Sequence, residues 1–288
     1  MRVAYLGPRG TFNEDALRDA AGADGVVEPV PAPSVYAAIA AVQDGEADRA
    51  LVPFENSIEG AVRSTLDTLA FDADGVSIVG EHDLPISHCL VARDALALDS
   101  IEAVISHPQG TAQCARFIRE QLPRAEVLAA ASTAEAVRLV SESEQPWAAL
   151  GTRSAAELYG ATILRDGVED EPDNVTRFVW LAPEGTPPAQ GSGRWRTSLV
   201  FSELGEDAPG ALVEALRAFS ERGVNLTRIE SRPRRRGLGR YMFFCDLDGA
   251  VADPVVADAI ADLRSKAESV RVLGSYPVAT RGVPGGVV

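Results

Sequence analysis

The sequence predicts an α/β protein in two domains, on three observations. The first two thirds repeat a short apolar strand, a polar turn and a helix. A stretch rich in Pro, Gly and small polar residues interrupts at 183–193, and beyond it the elements run βαββαβ. With 288 residues the chain exceeds the usual single-domain size, so two cores are expected.

Residues 2–6 form the first strand, run into Gly7-Pro8-Arg9-Gly10-Thr11-Phe12 and continue as a helix over about 13–20. Strand 49–53 leads through Phe54-Glu55-Asn56-Ser57-Ile58-Glu59-Gly60 to a helix over about 61–70. Strand 103–106 ends in His107-Pro108-Gln109-Gly110-Thr111 before a helix over 112–121. Strand 126–130 opens on Ser132-Thr133 and a helix reaching about 141, and strand 148–151 opens on Thr152 and a short helix. This alternation calls for mainly parallel strands, with ligands beyond their carboxyl ends, where the polar turns lie. Ser34, Ser132 and Thr152 are good N-caps, and several helix N-termini can jointly hold a carboxylate without Lys. Residues 76–91 read as two extended pieces bent at Pro85, a hinge from which the chain passes to a second lobe and returns near 165–174. The expected layout is a domain at 1–183, with lobes of about 1–76 plus 166–183 and 77–165. A linker at 184–194, a second domain at 195–280 and a tail at 281–288 follow. In that second domain, strand 196–203, helix 209–222, strands 224–232 and 240–247, helix 253–267 and strand 269–276 give the order of a ferredoxin-like unit.

Composition excludes several function classes. The 42 acidic and 27 basic side chains leave a net charge of −15, a surface that repels phosphate backbones and anionic lipid. The six arginines from Arg228 to Arg240 lie on a hairpin without interleaved aromatics and read as solvated or ion-paired. No apolar run reaches membrane length, and Met1 leads into a strand without a signal-peptide layout, so a cytoplasmic protein is expected. Cys89, Cys114 and Cys245 are too scattered for a disulfide framework or a zinc site and read as apolar fillers. The sequence holds no phosphate loop, nucleophile elbow or metalloprotease motif, and neither cofactor nor metal is expected.

The polar turns converge on Asp173-Asn174-Val175-Thr176-Arg177-Phe178, where a hydroxyl, a guanidinium and a ring follow one another. Such a set suits an anionic, ring-containing small molecule: Arg forks a carboxylate, Phe gives a flat wall and Thr offers a donor. His82 and His88 read as structural, and His107 either positions a neighbour or contacts ligand.

Taken in order, these segments resemble the prephenate dehydratase family in its form with a C-terminal ACT regulatory domain. The resemblance rests on Gly7 to Phe12, Pro53-Phe54-Glu55-Asn56-Ser57, Ser106-His107-Pro108-Gln109 with Gln113, Ser132-Thr133-Ala134 and Thr176-Arg177-Phe178. Gly210-Ala211-Leu212 with Leu216, and Glu230-Ser231-Arg232-Pro233, resemble the family's two phenylalanine-binding motifs. One departure is Asn13, where the family often carries Ser or Thr; the helix cap is kept. The resemblance implies a two-lobed, periplasmic-binding-protein-like catalytic domain and decarboxylative dehydration of prephenate to phenylpyruvate. It further implies phenylalanine as effector, a homodimer or homotetramer, and no chorismate mutase segment. By resemblance Thr176 assists the leaving oxygen, Glu55 or a water supplies the proton, and Asn56, Ser106 and Gln113 orient the ring substituents. Thr11, Ser57, Ser132, Arg177 and Phe178 complete the expected substrate site, and Gly210, Ala211, Leu212, Glu230, Ser231, Arg232 and Pro233 the effector site. Arogenate dehydratase and a non-catalytic amino-acid sensor remain open alternatives.

Overall fold

The computed structural model describes residues 1–22, 26–188, 193–205 and 209–279; part of the linker and the expected tail lie outside the described residues. The first lobe opens with β1 (Arg2–Leu6), α1 (Phe12–Ala21), β2 (Glu28–Ala32), α2 (Val35–Gln43), β3 (Arg49–Asn56), β4 (Gly60–Ala61), α3 (Arg63–Phe71) and β5 (Val76–Pro85). The second lobe holds β6 (Cys89–Ala92), β7 (Ala103–Ser106), α4 (Pro108–Gln113), α5 (Ala115–Gln121), β8 (Glu126–Ala129), α6 (Thr133–Glu142), β9 (Trp147–Gly151), α7 (Arg153–Tyr159) and β10 (Thr162–Arg165). The chain returns on β11 (Val175–Pro183) and ends in β12 (Trp195–Ser202), α8 (Ala211–Ser220), β13 (Leu226–Pro233), β14 (Tyr241–Asp248), α9 (Pro254–Lys266) and β15 (Ser269–Pro277).

The second lobe is built on a sheet of order β10-β6-β9-β7-β8, apolar on both faces. Among the described residues parallel pairing is confined to β2-β1-β3, β8-β7-β9 and one β15–β5 contact; the long strands β5 and β11 pair antiparallel with each other, and β6 pairs antiparallel with β9. The expectation of a mainly parallel fold therefore holds for the core of each lobe and not for the strands that join them. β4 and β10 have no counterpart in the sequence reading, and two further departures have a clear physical cause. β2 carries Pro29 and Pro31 and was not foreseen; it is tolerated because it lies at the end of the sheet, where missing N–H donors cost no ladder bond. The helix expected over 112–121 is broken at Cys114, giving α4 and α5.

The C-terminal domain does not hang from its linker. Its sheet, β13-β14-β12-β15, continues through β15 and β5 into the first lobe's β11-β3-β1-β2. Gly274 pairs with Ile78, and a Cβ at Gly274 would stand 2.1 Å from the Ile78 carbonyl oxygen, so the approach requires glycine. One face of the domain's sheet packs on α8 and α9. From the other, Val200, Met242, Phe244, Leu273 and Tyr276 join one core with Phe54, Leu66, Leu69 and Val179 of the first lobe. The three cysteines are buried and free, and burial pushes the Cys89 and Cys245 thiols up to about 12, in keeping with apolar filling. Among the described residues no helix is long and apolar enough to cross a membrane.

Candidate active site

A cleft of about 880 Å³ opens between the lobes, where polar turns from both sides meet. Thr11 and Phe12 come from the start of α1, Ser132 and Thr133 from the start of α6, Gln109 and Gln113 from α4, and Asn56, Thr176 and Phe178 from β3 and β11. The lobes touch beside it: Thr152 Oγ1 donates to the Gly10 carbonyl at 2.7 Å.

The strand pair β3 and β11 sorts its side chains by face. Successive strand residues point to opposite faces, so Thr176 and Phe178 line the cleft while Arg177 points away. On β3 the register shifts between the partners of Arg177 and Phe178, which are Glu55 and Pro53; Phe54 is the extra residue of a bulge. The bulge lets Pro53 and Asn56 both face the cleft, and sends Phe54 with Glu55 to the other side.

Polar groups on the cleft side form one connected chain. Asn56 Oδ1 accepts from the backbone N–H groups of Ile58 and Glu59 at 3.0 and 2.9 Å, which fixes the amide orientation. Asn56 Nδ2 therefore donates, to Asn174 Oδ1 at 2.7 Å and to Thr176 Oγ1 at 2.9 Å. Asn174 Nδ2 donates onward to Gln113 Oε1 at 3.2 Å, and that oxygen stands 3.0 Å from His88 Nε2, which must then carry a proton. Because Thr176 already accepts from Asn56, its own O–H is left to donate into the cleft. His88 is 1% exposed and stands edge-on to Phe12; burial, opposed by the bond to Gln113, holds its pKa below the ordinary imidazole range and the ring neutral.

Among the described residues no Lys or Arg lines the cleft, so a carboxylate there is left to hydrogen bonds and helix termini. α1 and α6 present theirs. The Thr11 hydroxyl donates to the Pro8 carbonyl instead of capping its helix, while Ser132 accepts from Glu135 N and leaves the earlier N–H groups of α6 open.

Four expected site residues stand elsewhere. Arg177, read from sequence as a carboxylate ligand, is 8% exposed on the opposite face. There its Nη2 lies 2.6 Å from Asp246 Oδ2 and 2.9 Å from Glu55 Oε2, and its Nη1 3.4 Å from Glu81 Oε2. Burial, the largest single influence, disfavours the charged guanidinium, but Asp246, Tyr276 and Glu55 together outweigh it and Arg177 is held above the ordinary arginine range. Glu55 shares that face and cannot hand a proton into the cleft. Ser57 is exposed, its Oγ accepting from Val175 N at 3.0 Å. Ser106 is fully buried and donates to the Leu150 carbonyl at 2.9 Å beneath Gly110. For Arg177 the cause is that contiguity with Thr176 and Phe178 in a strand does not mean a shared face. Conversely His88 and Asn174 were passed over as site residues; the available signals were the Pro85 bend beside His88 and the amide two residues before Thr176.

In the C-terminal domain a pocket of about 320 Å³ is lined by Gly210, Ala211, Leu212, Tyr241 and Phe243 among others. Gly210 caps α8 at φ 87°, a left-handed conformation that favours glycine. Glu230, Ser231, Arg232 and Pro233 do not line it: they lie on the edge strand β13, and Arg232 is engaged with Asp67 of α3 through Nε and Nη2 at 2.9 and 2.7 Å.

Comparison with known proteins supplies the rest. The family model for prephenate dehydratase matches residues 3–186 and that for the ACT domain residues 203–265. The chain is 43% identical over 288 residues to a prephenate dehydratase of Mycolicibacterium vanbaalenii, covering 96% of this chain and 90% of that one. Among solved structures, the prephenate dehydratase of Arthrobacter aurescens in complex with L-Phe superposes with a TM-score of 0.87 at 39% identity, over 100% of this chain and 93% of that one. A chain described as a novel type of quorum quenching acylase superposes with a TM-score of 0.83 at 31% identity, over 97% and 98% of the two chains.

Proposed function

Because the chain belongs to the prephenate dehydratase family and carries a C-terminal ACT domain, we propose that the cleft between its lobes converts prephenate to phenylpyruvate with Thr176 as the donor to the departing oxygen. The carrying observation is the Asn56–Thr176 bond of 2.9 Å, which occupies Thr176 as acceptor and turns its hydrogen toward the substrate. In prephenate, loss of the ring carboxylate as CO2 sends its electron pair through the ring and expels the C4 hydroxide, and the product ring is aromatic. The driving force lies in the substrate, so the protein has to orient it and stabilise charge that develops on departure. Phe178, Pro53 and Ile86 provide apolar walls, and the retained carboxylate is met by the N-termini of α1 and α6. A threonine hydroxyl is a weak acid, and with Glu55 across the sheet the proton that turns hydroxide into water comes from solvent. Thr176 is not set up as an acylase nucleophile, because the side chain bonded to its hydroxyl is an amide that cannot take its proton.

Phenylalanine is the proposed effector, seated by Gly210, Ala211, Leu212 and Phe243 and closed by the edge strand β13 of a second copy of the chain. That arrangement would account for residues 230–233 lying outside the pocket in one chain, and it makes the working unit a homo-oligomer. The test is turnover of prephenate and of arogenate with and without phenylalanine. Prephenate turnover that phenylalanine modulates is expected. Turnover of arogenate alone would overturn the substrate assignment, and indifference to phenylalanine the effector assignment.

A further inference from the structure

Behind the catalytic strand pair lies a cluster of charges buried between the two domains. Asp246, on β14, is 1% exposed and receives Arg177 Nη2 at 2.6 Å and Ser198 Oγ at 2.6 Å. Tyr276 OH stands 2.7 Å from Ser198 Oγ and extends the set into β15. Arg177 and Arg228 both lie over the Phe54 ring, at 4.9 and 4.8 Å from its centre, and Glu55 and Glu81 close the group from β3 and β5.

The placement of this cluster matters more than its strength. Thr176 and Arg177 are adjacent on β11, and their partners across the sheet, Asn56 and Glu55, are adjacent on β3. The donor pair of the cleft and the interdomain ion cluster are thus the two faces of the same two residues on each strand. Because the two residues share one backbone, a displacement of Arg177 displaces Thr176 with it. β14 also reaches the other pocket: Phe243 lines the cavity beside Gly210, and Asp246 follows three residues later, about 10 Å along an extended strand.

We propose that Asp246 is a positioning residue for Thr176, acting through Arg177, and that this contact carries the state of the Gly210 pocket to the cleft. The second half of the proposal rests on phenylalanine being the effector; the first does not. Coupling of this kind needs an element with two arrangements that both sites bias. Here that element is the rigid strand β14, whose position sets how firmly Asp246 draws on Arg177.

The test is steady-state turnover of prephenate by full-length wild type, Asp246→Asn and Arg177→Lys, with phenylalanine titrated into each and its binding followed by calorimetry. Asp246→Asn should lower kcat about tenfold while KM stays within about twofold, since neither residue touches the cleft. Phenylalanine should bind it nearly as in wild type but change its rate far less. Arg177→Lys, which keeps the charge and loses the fork, should shift in the same direction by less. Fractional modulation does not depend on how much enzyme is folded, so a purely structural ion pair would lower yield and melting temperature and leave that fraction unchanged. Should Asp246→Asn not fold, Ser198→Ala removes the hydroxyl that fixes the other carboxylate oxygen and should weaken modulation in the same sense. A folded Asp246→Asn with wild-type kcat overturns the positioning role. Reduced kcat with wild-type fractional modulation overturns the coupling role. Were wild type itself indifferent to phenylalanine, the effector reading would fall, and kcat would still decide whether Asp246 positions Thr176.

Discussion

At the scale of single residues, Thr176 and Arg177 are covalent neighbours with different tasks. Arg177→Lys is predicted to leave KM for prephenate within about twofold, whereas a carboxylate ligand would show a rise of tenfold or more in the same assay. Asp246→Ala would leave Arg177 buried without its main partner at a cost of about 3–5 kcal/mol, seen as a lowered denaturant midpoint. His88 makes a prediction in pH. Its folded pKa lies below the ordinary value of about 6.5, so between those values the unfolded chain binds the extra proton. Its contribution to stability is therefore complete above about pH 6.5 and is lost as pH falls below it. Melting curves of wild type and His88→Gln should converge as pH is lowered from 8 to 5; a gap that widened would contradict the sign.

At the scale of elements, the bulge at Phe54 and the termini of α1 and α6 build the cleft. Ser132→Ala removes the bond to Glu135 N and should cost about 1 kcal/mol of stability, with a raised KM because the terminus that meets the carboxylate frays. A normal KM would place the carboxylate elsewhere. The contrast between these elements also shows what could be read in advance. Most strands and the caps were legible because burial imposes apolar runs and Ser132 and Thr152 sit at cap positions, and Pro85 marks the end of β5; that strand belongs to the first sheet, not to a second lobe starting at 77. The facing of Glu55 and Arg177 was not legible, because a bulge leaves no fixed residue pattern and shifts the alternation by one. β2 was hidden for the opposite reason: its two prolines argue against a strand unless its edge position is already known.

At the scale of the whole molecule, the C-terminal domain is a structural part of the first lobe as well as its proposed regulator. The sheet runs through Gly274 and Ile78 from one to the other, and the apolar core is shared. Removing the chain after Gly185 would uncover that core, so the intact chain with Gly274→Val is the sharper probe of docking. A side chain there meets the Ile78 carbonyl and should lower the melting temperature and kcat together. The βαββαβ order was legible from its alternating elements, but its attachment to β5 was not, since one glycine contact carries no periodic signal. All of this converges on one hydroxyl in the cleft, and the most direct measurement is the rate at which Thr176→Ala and Thr176→Ser convert prephenate to phenylpyruvate. Loss of one oriented donor predicts that the alanine variant falls about 100-fold in kcat with little change in KM, and that the serine variant keeps much of the activity. An alanine variant that forms phenylpyruvate at the wild-type rate would contradict the account.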